Sequence, residues 1–419
     1  NKGIIKNDFY YRPVANMDDI TVNNSLDNNN LIGLLQRKLE TSVRDRLIAD
    51  VPVGIFLSGG LDSSLIAAIA GKISPGIEAF TVKFDGSSYD ESEEAKQVAR
   101  KYALKHHIFH YNDADLVKGW NSVVKKMDEP FADASIIPTY LLCKGAKERV
   151  SVALGGDGCD ELYAGYPNFK AMRFDTYLKN IKGNTSKIIK AVINKLPPSH
   201  KYMSLPFILS QISNGFGHEE MRQSYLWMSP FSSQERKQLF SCAGSLDTVF
   251  GEVDRVMKNI NNYGEMDMVT KLQTNFLSFY LPDDILTKVD RSSMYNSLEV
   301  RSPYLSSEFV RTAISLRSDL KLNRMTTKYI LRKLALRYLP YNIVYKKKHG
   351  FAPPIARLLQ GGLREQVEYV LRDRNNTMAT MFNMDYIENI LKEHMLGTYD
   401  HRKKIWSLFV LFSMDKKFI

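Results

Sequence analysis

The stretch Val51–Ala70, VPVGIFLSGGLDSSLIAAIA, restricts the possible folds more than any other part of the chain. Val53, Ile55, Phe56 and Leu57 read as a buried strand, and Leu65, Ile66, Ile69 and Ala70 then recur at helical spacing. Between them lies Ser58-Gly59-Gly60-Leu61-Asp62-Ser63-Ser64. Two adjacent glycines let backbone N–H groups turn into one concavity, Ser63 and Ser64 are expected to cap the helix, and the helix dipole favours an anion there. The reading is a phosphate cradle, without the Gly-Lys-Ser/Thr ending of a Walker A loop or the three spaced glycines of a dinucleotide fingerprint.

The strand-to-helix alternation continues. Ile77–Phe84 reads as a second strand, Ser87–Tyr89 as a turn and Glu91–Leu104 as a helix. His106–His110 reads as a third strand, Leu116–Met127 and Ile137–Val150 as helices, and Ser151–Leu154 as a fourth strand running into Gly155-Gly156-Asp157-Gly158. Alternation of this kind predicts an α/β fold with a parallel, doubly wound sheet and right-handed crossovers. Both glycine-rich turns then open on the same carboxyl edge. A helix over Leu31–Asp50 precedes the first strand. Beyond Phe169 the pattern is helices and loops with no convincing strand to Met268. Leu272–Ser315 reads as mostly helix with a break at Pro303, Met325–Leu339 as helix, Lys346–Pro354 as a loop, and Leu363–Ile419 as helical again. The expected division is an incoming linker over 1–30, an α/β core over 31–168, and a mainly helical part over 169–419 that completes the site.

A chain of 419 residues has room for more than one domain, and 44% hydrophobic with 25% charged residues is an ordinary globular composition. Cys143, Cys159 and Cys242 are too few and too scattered for a disulfide framework or a zinc site, which fits a reducing cytoplasm. No apolar run reaches the length of a membrane span, so no membrane partner is expected. The net charge of +11 raises the question of nucleic acid, but the basic residues are spread out, with runs only at Lys346-Lys347-Lys348 and Arg402-Lys403-Lys404. Nucleic acid is therefore not expected. The sequence permits a homo-oligomer.

Asp62 lies inside the first glycine turn, and Asp157, Asp160 and Glu161 in the second. Carboxylates beside a phosphate chain need a hard cation between them, and Mg²⁺ takes one or two carboxylates plus phosphate oxygens. Asp62 and Asp160 are the pair for that role; the competing reading of each is a turn or helix cap. Arg291, Glu299 and Arg301 read either as pocket-shaping residues or as a buried ion-pair network. His106, His107 and His110 lack companion ligands and read as packing or surface residues.

The heptapeptide SGGLDSS resembles the pyrophosphate loop of the ATP pyrophosphatases (PP-loop enzymes), which cleave ATP between its α and β phosphates. The resemblance extends over about 300 residues to the synthetase half of the glutamine-dependent asparagine synthetases. It includes PVGIFLSGGLDSS, FTVKF, DEPFADASIIPTYLL, LGGDGCDELYAGY, LPDDILTKVDRSSMYNSLEVRSPYL and KKKHGFAPPI. Residue by residue, it implies that Ser58, Gly59, Gly60, Asp62 and Ser63 hold pyrophosphate. Leu57, Val82 and Gly156 would hold the adenosine part through their backbone. Asp62 and Asp160 would be magnesium ligands, Asp157 would position or deprotonate the amine, and Lys348 would stabilise the pentacoordinate phosphorus and the acyl-adenylate. A cation brought in by a loop with hinge positions at Gly350 suits that last role. Cys159 lies where the family usually has a small residue and reads as a space-filling choice.

The resemblance implies an ATP- and Mg²⁺-dependent ligase that adenylates a carboxylate, by family weight the aspartate side chain, and transfers ammonia to it. The same scaffold serves β-lactam synthetases, peptide cyclases and amidotransferases of surface-sugar pathways, so the acid stays open, as do a tRNA-modifying enzyme of the same superfamily and a non-catalytic nucleotide-binding scaffold. Asp157 stands where the β-lactam members have tyrosine, which points to an amine delivered from outside. Family members carry a glutaminase domain opening on a cysteine. Here residue 1 is Asn and the first cysteine is Cys143. A glutaminase domain or subunit elsewhere is expected, and Phe9–Pro13 resembles the linker that follows one.

Overall fold

The computed structural model describes residues 26–84, 90–196, 204–218, 220–240, 251, 254, 255, 257, 260, 263–346 and 353–415. Residues 1–25 of the expected linker, the turn Ser87–Tyr89, Pro197-Pro198, Cys242, Lys347, Lys348 and Gly350 lie outside them. Helix α1 spans Asn28–Leu47 and starts three residues earlier than the apolar stripe predicts, because Asp27 caps it, its Oδ1 accepting from Asn30 N at 2.8 Å. There follow β1 (Val53–Phe56), α2 (Leu61–Ile73), β2 (Glu78–Phe84), α3 (Ser92–Lys101), β3 (Lys105–Tyr111), α4 (Asp113–Val124), α5 (Ile136–Lys147), β4 (Val152–Leu154) and the short α6 (Cys159–Leu162). Next come α7 (Gly183–Asn194), α8 (Leu205–Asn214), a π-helical stretch Phe276–Leu286 leading into α9 (Thr287–Met294), and β5 (Glu299–Arg301). The chain ends through α10 (Tyr329–Ala335) and further helices to α11 (Arg402–Asp415).

The five strands form one sheet in the order β3-β2-β1-β4-β5, and every pairing is parallel. Ile55 lies beside Ala79 on one side and Leu154 on the other, and this row packs with α1 and α2. Phe80 and Ala153 alternate to the opposite face, where Leu142, Cys143 and Ala146 of α5 cover them. Both faces are thus buried, as a parallel sheet requires. From β1 the chain first builds outward to β2 and β3, then returns to place β4 and β5 on the other side. The order therefore reverses between β1 and β4, the switch point at which loops diverge and leave a crevice at the carboxyl edge. Both glycine turns open there.

Two expectations give way. The helix expected over Leu272–Ser315 is interrupted by β5, whose three residues pair with β4 through Val152↔Glu299, Ala153↔Val300 and Leu154↔Arg301. The sheet thus takes its fifth strand from beyond residue 168. The helix expected over Met325–Leu339 begins only at Tyr329, after a small hairpin pairing Leu322–Asn323 with Thr326–Thr327. Left-handed backbone at Arg324 and Lys328 makes these bends.

Candidate active site

The first turn is tied by its own side chains. Ser63 Oγ accepts from Ser58 N at 3.1 Å and bonds Ser58 Oγ at 2.8 Å, while Gly60 N donates to Ser58 Oγ at 3.2 Å. The caps expected of Ser63 and Ser64 are not made. Gly60 occupies the cap position of α2 without a side-chain bond, and the two serines lie inside the first turn, where Ser63 folds back over the loop. The glycines differ in why they are needed. Gly59 has φ +88°, and a Cβ there would come within 2.4 Å of the Glu91 carbonyl; Gly60 has ordinary backbone, and a Cβ there would meet Ser58 Oγ at 3.3 Å. Leu57 N donates to Phe80 O at 2.8 Å, and Thr81 Oγ1 to Leu57 O at 2.5 Å, so Leu57 is held against β2 beside Val82.

The second turn lies against the first. A Cβ on Gly156 would meet Ser63 N at 3.1 Å, so Leu57, Val82 and Gly156 belong to three neighbouring strands of one edge. Asp62, in the first turn of α2, and Asp160, in α6, meet at one cation that sequence reasoning missed. Lys328 Nζ lies 2.7 and 2.5 Å from the two Asp62 oxygens and 2.8 Å from Asp160 Oδ1. Its side chain is 4% exposed. Burial pushes the ammonium toward neutrality, but Asp160 and Asp62 outweigh it and raise its pKa above the ordinary lysine value. Gly165 makes the contact possible, since a Cβ there would fall 1.9 Å from Asp160 Oδ1 and 2.4 Å from Lys328 Cε. Cys159 also faces this pair, its thiol donating to Asp62 Oδ1 at 3.0 Å; burial raises its pKa, which is the chemistry of a packed donor rather than a nucleophile.

A second charged centre adjoins the first. Lys288 of α9 lies 3.2 Å from Asp133 Oδ2 and in the field of Asp157 and Asp284. Burial opposes its charge, and the three carboxylates, led by Asp133, restore it. Asp133 accepts from Ser135 N at 2.9 Å and Ser135 Oγ at 2.7 Å, and despite burial Lys288 and these bonds hold it below the usual carboxylate range. Asp157 goes the other way: burial raises its pKa, with Lys288 only partly offsetting it. Asp284 is pushed up to about 6 by burial and by Asp133. Neighbouring carboxyls are thus driven apart, the arrangement that separates proton-holding from charge-holding roles.

The remaining predicted residues fall elsewhere. Arg291 Nη2 pairs with Glu129 at 2.6 Å and Asp128 at 3.0 Å, over the Phe131 ring. Arg301 binds Glu299 at 2.7 Å and donates through Nη1 to the carbonyls of Arg46 and Ile48 at 3.0 and 2.7 Å, closing the end of α1. Neither Glu299 nor Arg301 bonds the Asp62–Asp160 pair. His106 bonds Thr81 Oγ1 at 2.7 Å and His107 bonds Glu78. Lys346, the last described residue before Lys348, binds Glu94 at 2.8 Å and Glu91 at 3.7 Å beside the first glycine turn. Among the described residues no three His, Cys, Asp or Glu side chains gather to hold a metal. Among the described residues Asp62 and Asp160 are the paired oxygen donors a hard cation could take; it would share them with Lys328 and complete its shell with phosphate oxygens and water. Lys328 offered no signal in sequence beyond one lysine at a helix start; left-handed backbone and Gly165 bring it in.

The family described as asparagine synthase matches residues 34–416. The chain is similar to asparagine synthetase [glutamine-hydrolyzing] 1 of Bacillus subtilis, 28% identical over 370 residues, covering 88% of this chain and 56% of that protein. It is similar to asparagine synthetase [glutamine-hydrolyzing] 3 of the same organism, 24% identical over 371 residues, covering 84% and 53%. It also resembles asparagine synthetase [glutamine-hydrolyzing] 1 of Arabidopsis thaliana, 33% identical over 165 residues, covering 35% and 28%. The chain spans just over half the length of the two Bacillus relatives it matches.

Proposed function

This chain belongs to the asparagine synthase family, and from that premise and the geometry of its two glycine turns we propose that it is an ATP-dependent, AMP-forming amide synthetase. The observation that carries the reading is the convergence of Asp62 and Asp160, from two turns at the switch point, on the buried Lys328. Here the phosphate chain of ATP lies against Ser58, Gly59, Gly60 and Ser63, with the adenosine part along Leu57, Val82 and Gly156. Asp62 and Asp160 would hold Mg²⁺, which would neutralise phosphate charge. Lys328 keeps the two carboxylates from repelling the phosphates and each other.

A carboxylate oxygen of the acid, the aspartate side chain in this proposal, bonds to the α phosphorus; the bond to the β-phosphate oxygen breaks, and pyrophosphate leaves with its electron pair. Lys348 supplies the cation for the charge that builds on the α phosphate. Ammonia then bonds to the acyl carbon, the acyl–oxygen bond breaks and AMP departs. Asp157 takes the proton lost by the nitrogen; burial raises its pKa toward the working range of a general base. Ammonia comes from a glutaminase domain or subunit, and the reaction is placed in the cytoplasm. No described helix is long and apolar enough to cross a membrane.

Aspartate-dependent exchange of labelled pyrophosphate into ATP tests the reading. Exchange with aspartate and none without it is expected. No exchange with aspartate overturns the assignment of the acid, and accumulation of ADP in place of AMP overturns the reaction.

A further inference from the structure

From residue 176 to residue 218 the chain carries six lysines and neither Asp nor Glu. Within this stretch α7 turns Ile193 inward and leaves Ile188 and Val192 64 and 60% exposed, and Leu196, just past its end, is 36% exposed. Leu205, which opens α8, and Tyr177, ahead of α7, are exposed as well. Lys182, Lys187 and Lys195 are exposed around the stripe, whereas Lys190 is half-buried and lies in the field of Glu235. Aliphatic side chains this exposed, beside the exposed ammonium groups of Lys182, Lys187 and Lys195, suit a partner that is apolar and anionic together.

A second copy of the chain fits poorly, because a two-fold contact through this face would set its lysines against themselves. Single-stranded nucleic acid would meet mainly branched aliphatics, on which bases do not stack. An anionic lipid surface meets both demands: headgroups for the lysines, and the acyl boundary for Ile188, Val192, Leu196 and Leu205. We propose that α7 and the start of α8 form a docking surface for an anionic membrane. Such docking needs no spanning segment. It does not depend on the adenylation reading.

Flotation with vesicles tests the proposal. The chain should float with vesicles of equal parts phosphatidylglycerol and phosphatidylcholine, less so as salt is raised, and not with phosphatidylcholine alone. Ile188→Asp/Val192→Asp should abolish flotation, and Lys187→Glu/Lys195→Glu should weaken it at least tenfold, each lysine near such a surface being worth a factor of about five. Both should keep the wild-type circular dichroism and vesicle-free pyrophosphate exchange, and Tyr369→Asp, exposed elsewhere, should float like wild type. No flotation of the wild type at low salt, or equal flotation of wild type and Ile188→Asp/Val192→Asp, overturns it. So does self-association lost in Ile188→Asp/Val192→Asp without vesicle binding, or RNA binding that excludes the vesicles.

Discussion

Lys328 holds its ammonium against Asp62 and Asp160 with almost no access to water. Removing one member of a buried charge group leaves the rest uncompensated, at a cost of about 3–5 kcal/mol. Lys328→Met should therefore lower the unfolding free energy by that order and abolish pyrophosphate exchange, and added Mg²⁺ should recover part of the stability but not the exchange. Unchanged denaturant midpoints would contradict the role. Glu91 offers a test by pH. Burial lifts its carboxyl to about 7, with Lys346 partly opposing. The folded chain thus favours the protonated form, a contribution fully present below the ordinary glutamate value and lost as pH rises through about 7. Glu91→Gln should match wild type in thermal denaturation near about pH 4 and be the more stable by about 3 kcal/mol near about pH 8.5. A difference that is the same at both values would contradict this.

At the level of elements, β1, α2, β2, β3 and β4 were legible because their apolar runs and glycine turns are local signals. Strand β5 was not. Three residues with two charged side chains carry no strand period, and Glu299–Arg301 becomes a strand only through its pairing with β4. The same holds for the site: both glycine turns can be read from residues close in sequence, while Lys328 and Lys288 reach Asp62 and Asp133 from 266 and 155 residues away. Arg301, which the sequence left between pocket and ion-pair roles, closes the carbonyls of Arg46 and Ile48. Arg301→Ala should lower stability by about 1–3 kcal/mol, the cost of orphaned acceptors, and leave the KM for ATP unchanged. A raised KM at unchanged stability would instead place it in the pocket.

At the scale of the molecule, the helical C-terminal part supports the site from behind. Trp406 of α11 packs on Trp120 of α4 with ring centroids 4.8 Å apart, and its Nε1 donates to Ala132 O at 2.9 Å, next to the Asp133 that binds Lys288. Trp406→Ala should lower the unfolding free energy by about 3–5 kcal/mol and reduce kcat for amide formation while sparing nucleotide affinity, read by denaturation and by titration with ATP. Loss of ATP affinity alone would show that α11 serves the nucleotide end instead. The account as a whole rests on attack by a carboxylate oxygen at the α phosphorus, beside Asp62, Asp160 and Lys328. Turnover of aspartate labelled with ¹⁸O in its side-chain carboxylate, with ATP and ammonia, follows that bond directly. The label is predicted in the phosphate of AMP; label in inorganic phosphate with ADP as the nucleotide product would contradict it.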